Sequence, residues 1–346
     1  SYGPGFLTGG QSKNHTTRSM VDQTFKLDIN WQANHTHSIK TGLHYFNHDL
    51  KNEWYEIRNE FYNSGSDSAY VPEIFGDSSA YADVYSISPK EVAFYIQDKM
   101  EFDDMVINVG VRYDQFDPES VYPSDRRNPA NQLILPDSMM SLYPQAPVIS
   151  QISPRVGFAY QLGGQAVLHF SYGHFFQMPP MYAMYENNSF LVDPNNFVTR
   201  MGNTLLEPEK TITYEIGLWQ ELNQIMALDV ALFYRDIYNL LTTKTISTYN
   251  QVKYGLYSNK DYGNVRGLEL KLDLAMGQLK GMVNYTLQYT RGNADSPGQT
   301  FDRAGNNQDP VNRLIPMGWD QRHTLNGSLI YGTENYGGSM TAYYNS

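Results

Sequence analysis

The sequence predicts an all-β protein that forms part of a transmembrane antiparallel up-and-down β-barrel. Three regularities indicate this fold: apolar and polar residues alternate with period two, short and long connections alternate along the chain, and tyrosines recur at one end of the alternating segments. No run of 18 apolar residues is present, so no transmembrane helix is encoded. Barrel strands turn only half of their residues to lipid, so a polar average composition is compatible with a membrane position.

The clearest hairpin lies at residues 211–241. Apolar residues occupy every second position on both sides of a turn predicted at Asn223-Gln224. Period-two alternation is typical of an extended strand, and a short polar turn between two such segments predicts an antiparallel hairpin. One face is apolar throughout, whereas the other carries Glu215, Asp229 and Arg235.

The same pattern recurs along the chain and predicts about twelve strands in six hairpins. The predicted short turns lie at residues 33–35, 103–104, 163–164, 223–224, 277–278 and 333–335. The hairpins are joined by long connections at about 49–89, 117–152, 175–210, 239–263 and 292–320. Connections in compact soluble domains are short at both ends, with a median of about 4–6 residues. Alternation of short and long connections is typical of a membrane barrel with tight periplasmic turns and long extracellular loops.

Tyrosines end the apolar face of the strands that leave the short turns. They are Tyr45, Tyr113, Tyr172, Tyr234 and Tyr289. In a membrane barrel such residues form an aromatic girdle, with the rings in the headgroup layer and the hydroxyls in water. The expected strand length is the roughly 9–11 residues that cross a bilayer at a tilt. Since a soluble sandwich shows the same alternation, a soluble carbohydrate-binding β protein stays an alternative.

Composition and motifs exclude several other classes. The chain has no cysteine, so it holds neither disulfides nor thiolate metal sites, and its net charge of −11 argues against binding to nucleic acid. No nucleophile motif, H-E-x-x-H zinc motif or phosphate-cradling glycine loop occurs. We therefore predict no enzyme activity and no cofactor.

The chain resembles the C-terminal barrel of TonB-dependent outer-membrane receptors in seven ordered segments. These are Ser153–Phe158, Ser171–Pro180, Leu206–Lys210, Tyr214–Gly217, Phe233–Ile237, Tyr262–Glu269 and Trp319–Asn326. The matches run from about 153 to 331, and residues 1–152 fit by strand pattern alone. The sequence departs from the family where Thr204 follows Asn203, a position at which the family often has proline.

The resemblance implies a 22-stranded barrel filled by an N-terminal plug and located in the bacterial outer membrane. It also implies import of a scarce nutrient, with TonB supplying the energy through an N-terminal part that this chain lacks. The expected partners are outer-membrane lipid and lipopolysaccharide, the TonB complex, and a small-molecule, glycan or metal-chelate ligand. A passive porin-like channel is the first alternative.

Aromatic residues in two of the long connections are candidates for ligand binding. They are Trp54, Tyr55, Phe61 and Tyr62 in the first and Phe175, Phe176 and Tyr182 in the third. Such rings could stack on a flat ligand or a sugar ring. They could equally pack the loops together over the mouth of the barrel, and the sequence leaves both interpretations open.

Three patterns suggest metals, but each has a simpler interpretation. Met178, Met181 and Met184 have the spacing and soft thioethers that suit copper(I), although packing against nearby aromatic rings explains them as well. His44 and His48 share one face of a strand without a third ligand. The stretch 293–309 is rich in oxygen ligands for Ca²⁺ but has no EF-hand order, so a solvated loop is favoured. We therefore predict no metal site.

Overall fold

The computed structural model describes residues 13–60, 71–194, 199–293, 298–306, 308 and 314–346, and its regular structure is almost entirely antiparallel sheet. The strands are β1 (Asn14–Gln32), β2 (His37–Asn59), β3 (Pro72–Ile74), β4 (Ala82–Ile87), β5 (Lys90–Glu101), β6 (Met105–Asp117), β7 (Ile149–Leu162), β8 (Ala166–Gln177), β9 (Arg200–Met201), β10 (Glu209–Asn223), β11 (Met226–Ser247), β12 (Lys253–Met276), β13 (Leu279–Gly292), β14 (Ile315–Pro316), β15 (His323–Gly332) and β16 (Gly337–Asn345). The helices are α1 (Met181–Tyr185), α2 (Gln299–Gly305) and a 3₁₀ turn at Asp137–Met139. Within the described ranges, no helix is long and apolar enough to span a bilayer.

Twelve long strands lie side by side in one sheet in the order in which they occur in the chain. The order is β1-β2-β5-β6-β7-β8-β10-β11-β12-β13-β15-β16, and each long strand pairs antiparallel with its neighbour in this order. We call this twelve-stranded sheet the membrane wall. The four short strands pair at its margins, β3 and β4 with β2, β9 with β12 and β14 with β13. The predicted up-and-down topology of six hairpins is therefore confirmed.

The six short turns all lie at one rim of the membrane wall. Five fall where the alternation ends in the sequence, and the fourth lies one residue later than predicted, at Gln224-Ile225. Gly163 and Gly277 occupy turns with positive φ of 65° and 57°, a conformation that glycine adopts without a Cβ clash. In the first turn, the side-chain oxygen of Asn34 accepts hydrogen bonds from the backbone amides of Thr36 and His37, at 2.8 and 2.9 Å.

The apolar face of the membrane wall points away from the rest of the protein. Ile216 is 48% exposed and Leu232 is 55% exposed, so no second protein layer among the described residues covers them. The register aligns apolar residues of five strands in one cross-strand row, Phe170–Ile216–Leu232–Leu268–Leu287. This arrangement fits a wall whose outer face meets lipid.

The next row toward the other rim carries three of the five predicted tyrosines, Tyr172, Tyr234 and Tyr289, together with Tyr214. It runs Tyr172–Tyr214–Tyr234–Arg266–Tyr289. The rings of Tyr172 and Tyr214 lie 5.1 Å apart and those of Tyr214 and Tyr234 lie 6.4 Å apart. We call this set the tyrosine row, and a single arginine interrupts it.

The inner face of the membrane wall carries the charged side chains. Arg112 pairs with Asp114 at 2.7 Å, and Lys271 pairs with Asp273 at 2.9 Å. Large inner side chains lie flat on the sheet where a glycine opposes them: a Cβ on Gly267 would come within 2.5 Å of the Phe233 ring. The same Cβ would clash still more closely with the Leu287 carbonyl oxygen, so replacing this glycine would require the strands themselves to shift.

Two predictions about strand length were wrong. The strands are 9 to 24 residues long rather than about 9–11, apart from the short marginal ones. Residues 239–263, predicted to be a loop, are mostly strand, because β11 and β12 stay paired as far as Ser247 and Lys253. Part of 49–89 is also strand, since β2 continues to Asn59. These extensions have polar residues on both faces, so apolar alternation does not mark them, while threonine, tyrosine and isoleucine favour the extended chain.

The long connections fold together at the rim opposite the short turns. We call this assembly, formed by residues 82–87, 118–148, 178–194, 199–208 and 241–257, the cap. Its hydrophobic centre buries Met184, Tyr185, Leu206 and Tyr257. The cap therefore has a small core of its own above the membrane wall.

Candidate ligand-binding site

A cavity of about 420 Å³ lies where the cap meets β1 and β2. We call it the mouth cavity. It is lined by Asn14, Arg18, Asn52, Trp54, Glu56, Arg58, Ala80, Tyr81, Ala82, Asp83, Glu186, Asn187, Leu191, Asp193, Thr199 and Arg200. The β2 residues of this set all have even numbers, because alternate residues of a strand point to the same side. Its volume is that of a pocket for a small molecule.

Asp83 connects β4 to the segment after α1. Its two carboxylate oxygens accept hydrogen bonds from the backbone amides of Asn187 and Asn188, at 2.9 and 3.1 Å. Burial raises the pKa of the Asp83 carboxyl group, and the two amide donors oppose that rise. The carboxylate thus fixes one side of the mouth cavity through backbone groups 104 residues away in the sequence.

Glu186, the residue before Asn187, also lines the mouth cavity. Burial raises the pKa of the Glu186 carboxyl group. Two neighbours oppose this rise: the Tyr257 hydroxyl donates a hydrogen bond to the carboxylate, and the positive charge of Arg200 stabilises it. The guanidinium of Arg200 also lies 3.3 Å from Asp302 of α2. Arg200 thus lies between two carboxylates at the edge of the cavity.

Two further arginines and two aromatic rings complete the lining. The Nε of Arg18 donates to Asn52 at 2.9 Å. The guanidinium of Arg58 lies 3.8 Å above the centre of the Tyr81 ring, a cation–π contact, and Trp54 lines the same space. The guanidinium groups can donate paired hydrogen bonds to oxygen atoms of a ligand, and the aromatic rings can stack on a flat apolar face. The lining therefore suits a ligand that has both features.

A larger groove of about 780 Å³ runs along the inner face of the membrane wall below the cap. We call it the wall groove. Arg155 stacks on Phe175 with its guanidinium 4.6 Å from the ring centre, and Arg235 lies 4.9 Å from the centre of the Phe233 ring. Together with Lys40 and Arg112, these residues give the groove several positive charges, which Glu215 partly offsets.

The seven predicted site residues do not form one site. Trp54 lines the mouth cavity, whereas Tyr55 lies on the opposite face of β2 and stacks on His15 at 5.2 Å. Phe175 lines the wall groove, and Phe176 lines a smaller cavity of about 360 Å³ beside it. Tyr182 contacts Tyr257 edge to face in the cap. The remaining two, Phe61 and Tyr62, lie outside the described residues.

Several cavity residues were missing from the sequence prediction. Strand alternation contained the signal for Arg18, because β1 and β2 pair and Arg18 faces Asn52 directly across the ladder. No local pattern marks Asp83, Glu186 or Arg200, since their proximity depends on how the long connections fold over one another.

The metal hypotheses gain no support from the described geometry. Met184 is buried in the hydrophobic centre of the cap, and Met178 and Met181 pack against it, as the packing interpretation expects. His48 is bound to Asp22 at 2.7 Å, and His44 lies 3.5 Å from Asp28. Within the part of the chain that the structure describes, no cluster of three or more histidine or acidic side chains could hold a metal ion. Part of 293–309, the calcium candidate, lies outside that part, and residues 299–305 form α2.

Comparison with known proteins gives a family and a fold. Residues 1–346 match the family model described as TonB dependent receptor-like, beta-barrel. The sequence matches none of the curated proteins with which it was compared.

Three solved structures with the same fold are much longer than this chain. The outer membrane transporter YddB from Escherichia coli aligns with a TM-score of 0.65 and 13% identity, over 96% of this chain and 43% of that one. The ferric enterobactin receptor PfeA from Pseudomonas aeruginosa, in complex with enterobactin, aligns with a TM-score of 0.60 and 13% identity, over 95% of this chain and 42% of that one. The FrpB iron transporter from Neisseria meningitidis aligns with a TM-score of 0.57 and 15% identity, over 95% of this chain and 43% of that one. The chain therefore spans less than half the length of these proteins.

Proposed function

The chain belongs to the TonB-dependent receptor family, as a β-barrel of the bacterial outer membrane, and we propose that its protein captures a scarce nutrient at the extracellular loops and imports it through the barrel. In this proposal a plug gates the lumen, TonB supplies the energy, and the protein acts as a receptor and transporter rather than an enzyme. The short turns then face the periplasm and the cap faces the medium.

The observation that carries the proposal is the position of the mouth cavity above the wall groove. Both lie on the polar side of the membrane wall, so a ligand leaving the mouth cavity would enter a lumen lined with charged and aromatic groups. A lumen of this kind provides hydrogen-bond partners for a solute that cannot cross lipid. This supports import through the barrel more than adhesion at its surface.

The proposed ligand is a small molecule, a glycan or a metal chelate with both polar oxygens and a flat face. The other proposed partners are the TonB complex, which would engage the protein through an N-terminal part, and the lipid and lipopolysaccharide of the outer membrane. Nucleic acid is not a proposed partner, because the chain carries a net charge of −11.

Uptake by living cells tests the transport proposal. Cells with and without the intact protein receive radiolabelled cobalamin, ferric enterobactin or an oligosaccharide pool, with and without a protonophore. We expect one probe to accumulate only when the protein is present and the proton gradient is intact. Accumulation that needs the protein but survives the protonophore would instead favour the passive porin-like channel.

Paired variants test whether the mouth cavity captures that probe. Trp54→Ala removes a ring from the cavity, and Tyr55→Ala removes the neighbouring ring from the opposite face of β2. Loss of a stacking ring costs about 0.5–1.5 kcal/mol beyond the loss of buried area, so Trp54→Ala should weaken binding roughly tenfold and Tyr55→Ala should leave it unchanged. Equal affinity in both variants would exclude the mouth cavity as the binding site.

A further inference from the structure

The smaller cavity of about 360 Å³ beside the wall groove lies where the inner face of the membrane wall meets the cap. We call it the junction cavity. Its walls come from β5, β6 and β7, and Phe176 and Met178 close it at the end of β8. Met178 also packs against the hydrophobic centre of the cap, so the cavity adjoins the cap. Its volume lies in the range of pockets for small molecules, which is about 300–1,000 Å³.

The strands that line the junction cavity lie in the middle of the described sheet. Each of β5 to β8 pairs with a neighbour on both sides. The lining side chains alternate along the strands, with Arg112 and Asp114 on β6 and Ser153 and Arg155 on β7. Arg112 lies directly opposite Ser153 across the ladder. The strand register therefore fixes the backbone positions of the charged groups.

Two of the four charged residues of the junction cavity neutralise each other. The guanidinium of Arg112 lies 2.7 Å from the carboxylate of Asp114, and its Nε donates to both oxygens of that carboxylate, at 2.8 and 3.0 Å. Asp114 is only 6% exposed. Removing one partner of such a pair would leave a buried charge uncompensated, so the pair belongs to the structure of the wall.

The other two charges of the junction cavity, on Arg155 and Glu91, do not pair with each other. Arg155 stacks on Phe175 with its guanidinium 4.6 Å from the ring centre, and stacking uses the face of the guanidinium while its N–H groups lie in the plane. Glu91 lies 3.4 Å from His48, whose other ring nitrogen contacts Asp22 at 2.7 Å. Among the described residues, no lysine or arginine lies within ion-pair distance of Glu91. The cavity thus has one cation and one anion that stay apart.

Two opposite charges that line one cavity without touching match a ligand that carries both charges. A guanidinium binds a carboxylate through two parallel hydrogen bonds, and a carboxylate accepts hydrogen bonds from an ammonium group. Ser153 is 1% exposed, and its hydroxyl, which has no hydrogen-bond partner among the described residues, adds a donor at the wall of the cavity. The apolar surfaces of Phe176 and Met178 suit an apolar side chain.

We propose that the junction cavity binds a zwitterionic α-amino acid with an apolar side chain. Arg155 holds the α-carboxylate, Glu91 holds the α-ammonium group, and Phe176 and Met178 contact the side chain. The site is separate from the mouth cavity and selects among solutes that have reached the lumen. This role rests on the proposed import function, because the solute must enter the barrel, whereas binding itself does not require import.

Equilibrium dialysis with the intact protein, purified in detergent, tests the proposal. The radiolabelled probes are L-phenylalanine, 3-phenylpropionate, which lacks the ammonium group, and 2-phenylethylamine, which lacks the carboxylate. A hydrogen bond to a charged group contributes roughly tenfold or more to affinity, so each singly charged compound should bind at least about tenfold more weakly than L-phenylalanine. This comparison uses the unmodified protein and therefore does not depend on the folding of a variant.

Variants assign each charge of the ligand to one residue. Arg155→Gln should weaken binding of L-phenylalanine roughly tenfold or more and leave binding of 2-phenylethylamine unchanged. Glu91→Gln should weaken binding of L-phenylalanine to a similar extent and leave binding of 3-phenylpropionate unchanged. A general loss of structure would weaken all three probes. Heat-modifiable electrophoretic mobility shows that each variant is folded.

The wall groove provides a matched control for each variant. Arg235→Gln and Glu215→Gln remove the same charges from residues that line the wall groove and not the junction cavity. Both controls should bind L-phenylalanine as the unmodified protein does.

Three results would overturn the proposal. One is the absence of saturable L-phenylalanine binding, which would mean that the junction cavity is closed to solutes. Another is equal affinity for L-phenylalanine and either singly charged compound. The third is an equal loss of affinity in Arg155→Gln and Arg235→Gln, which would indicate a general charge effect in the lumen. If the expected binding pattern is found but cells show no uptake, the import function fails and the amino-acid site stands.

Discussion

In the membrane wall the apolar side chains lie on the outside of the protein, and in the cap they lie inside. Leu232 is 55% exposed on the outer face of the wall, whereas Tyr185 of the cap is only 1% exposed. Polar groups are reversed in the same way, since the wall turns its charges toward the lumen and the cap turns many of its polar groups toward water. Apolar side chains thus point outward in the wall, which meets lipid, and inward in the cap, which meets water.

Hydrogen bonding, unlike the position of apolar groups, obeys one rule in both regions. In the wall, the backbone groups between neighbouring strands are paired in the cross-strand ladder, as a bilayer requires. In the cap, where strands are few, buried side chains take over this role: Asn203 accepts from Arg126 at 2.9 Å and donates to the Tyr257 carbonyl at 2.9 Å. Each region can be disrupted by a change that leaves the other intact.

The largest expected effect separates the cap from the wall. Tyr185→Ala removes a ring from the centre of the cap, and truncation of a buried aromatic residue costs about 3–5 kcal/mol. We expect the cap to open, with faster amide exchange and proteolysis at residues 178–194, while exchange stays slow in the parts of β10–β13 outside the cap, residues 209–240 and 258–292.

Tyr185→Phe is the matched control for that change. It keeps the ring and removes only the hydroxyl, which donates to the Pro118 carbonyl at 2.9 Å, so the expected cost is about 0.5–1.5 kcal/mol. Faster exchange in residues 209–240 and 258–292 after Tyr185→Ala would contradict the independence of the two regions.

The next effect tests the direction in which the wall faces. Leu270→Arg places a charge on the outer face in mid-strand, at an expected cost of about 2–4 kcal/mol in a bilayer. Thr286→Arg places the same charge on the inner face, opposite Glu269, where water and a carboxylate are available. Urea unfolding in lipid vesicles should show a lower midpoint for the Leu270 variant alone. Equal midpoints for the two variants would mean that lipid does not contact Leu270.

The sequence predicts the wall far better than it predicts the cap. In the wall, the outer face of the sheet meets lipid and the inner face meets water. Alternation at positions such as Ile216 and Leu232 therefore predicts the strands, their register and their orientation together. The site prediction named both Trp54 and Tyr55 because it assigned residues 49–89 to a loop, whereas both lie in β2 and alternation places them on opposite faces. In the cap, Asp83 and Asn187 meet across 104 residues with no periodic pattern between them, so their contact depends on tertiary folding that local rules do not contain.

A smaller effect is expected for the polar centre of the cap. Asn203→Ala leaves the buried guanidinium of Arg126 and the Tyr257 carbonyl without their amide partner. An unsatisfied buried polar group costs about 1–3 kcal/mol. Amide exchange in residues 199–208 should accelerate, and the unfolding midpoint of the wall in urea should not change. Unaltered exchange in this segment would show that water replaces the asparagine without cost.

The smallest effect is a pH dependence confined to the cap. Burial raises the pKa of Glu186, so the folded state holds the proton more tightly than the unfolded chain. The resulting stabilisation is complete below the unfolded pKa and is lost as the pH rises through the folded pKa. Glu186→Gln removes this titration, so the variant and the unmodified protein should have equal cap stability in acid, and the variant should be the more stable at neutral pH. A difference in stability that stays constant with pH would contradict the raised pKa.

Two hydrogen bonds of the cap join residues that lie far apart in the sequence, and this separation affects the order in which the protein assembles. Strand neighbours in the wall are joined by single turns or loops, so each hairpin can close soon after its two strands are available. The bonds from Asp83 to Asn187 and from Tyr249 to Asp125 close far longer segments, of 104 and 124 residues. Closure of long segments carries a larger entropy cost and slows folding. We therefore expect the barrel strands to pair before the mouth cavity takes its final shape.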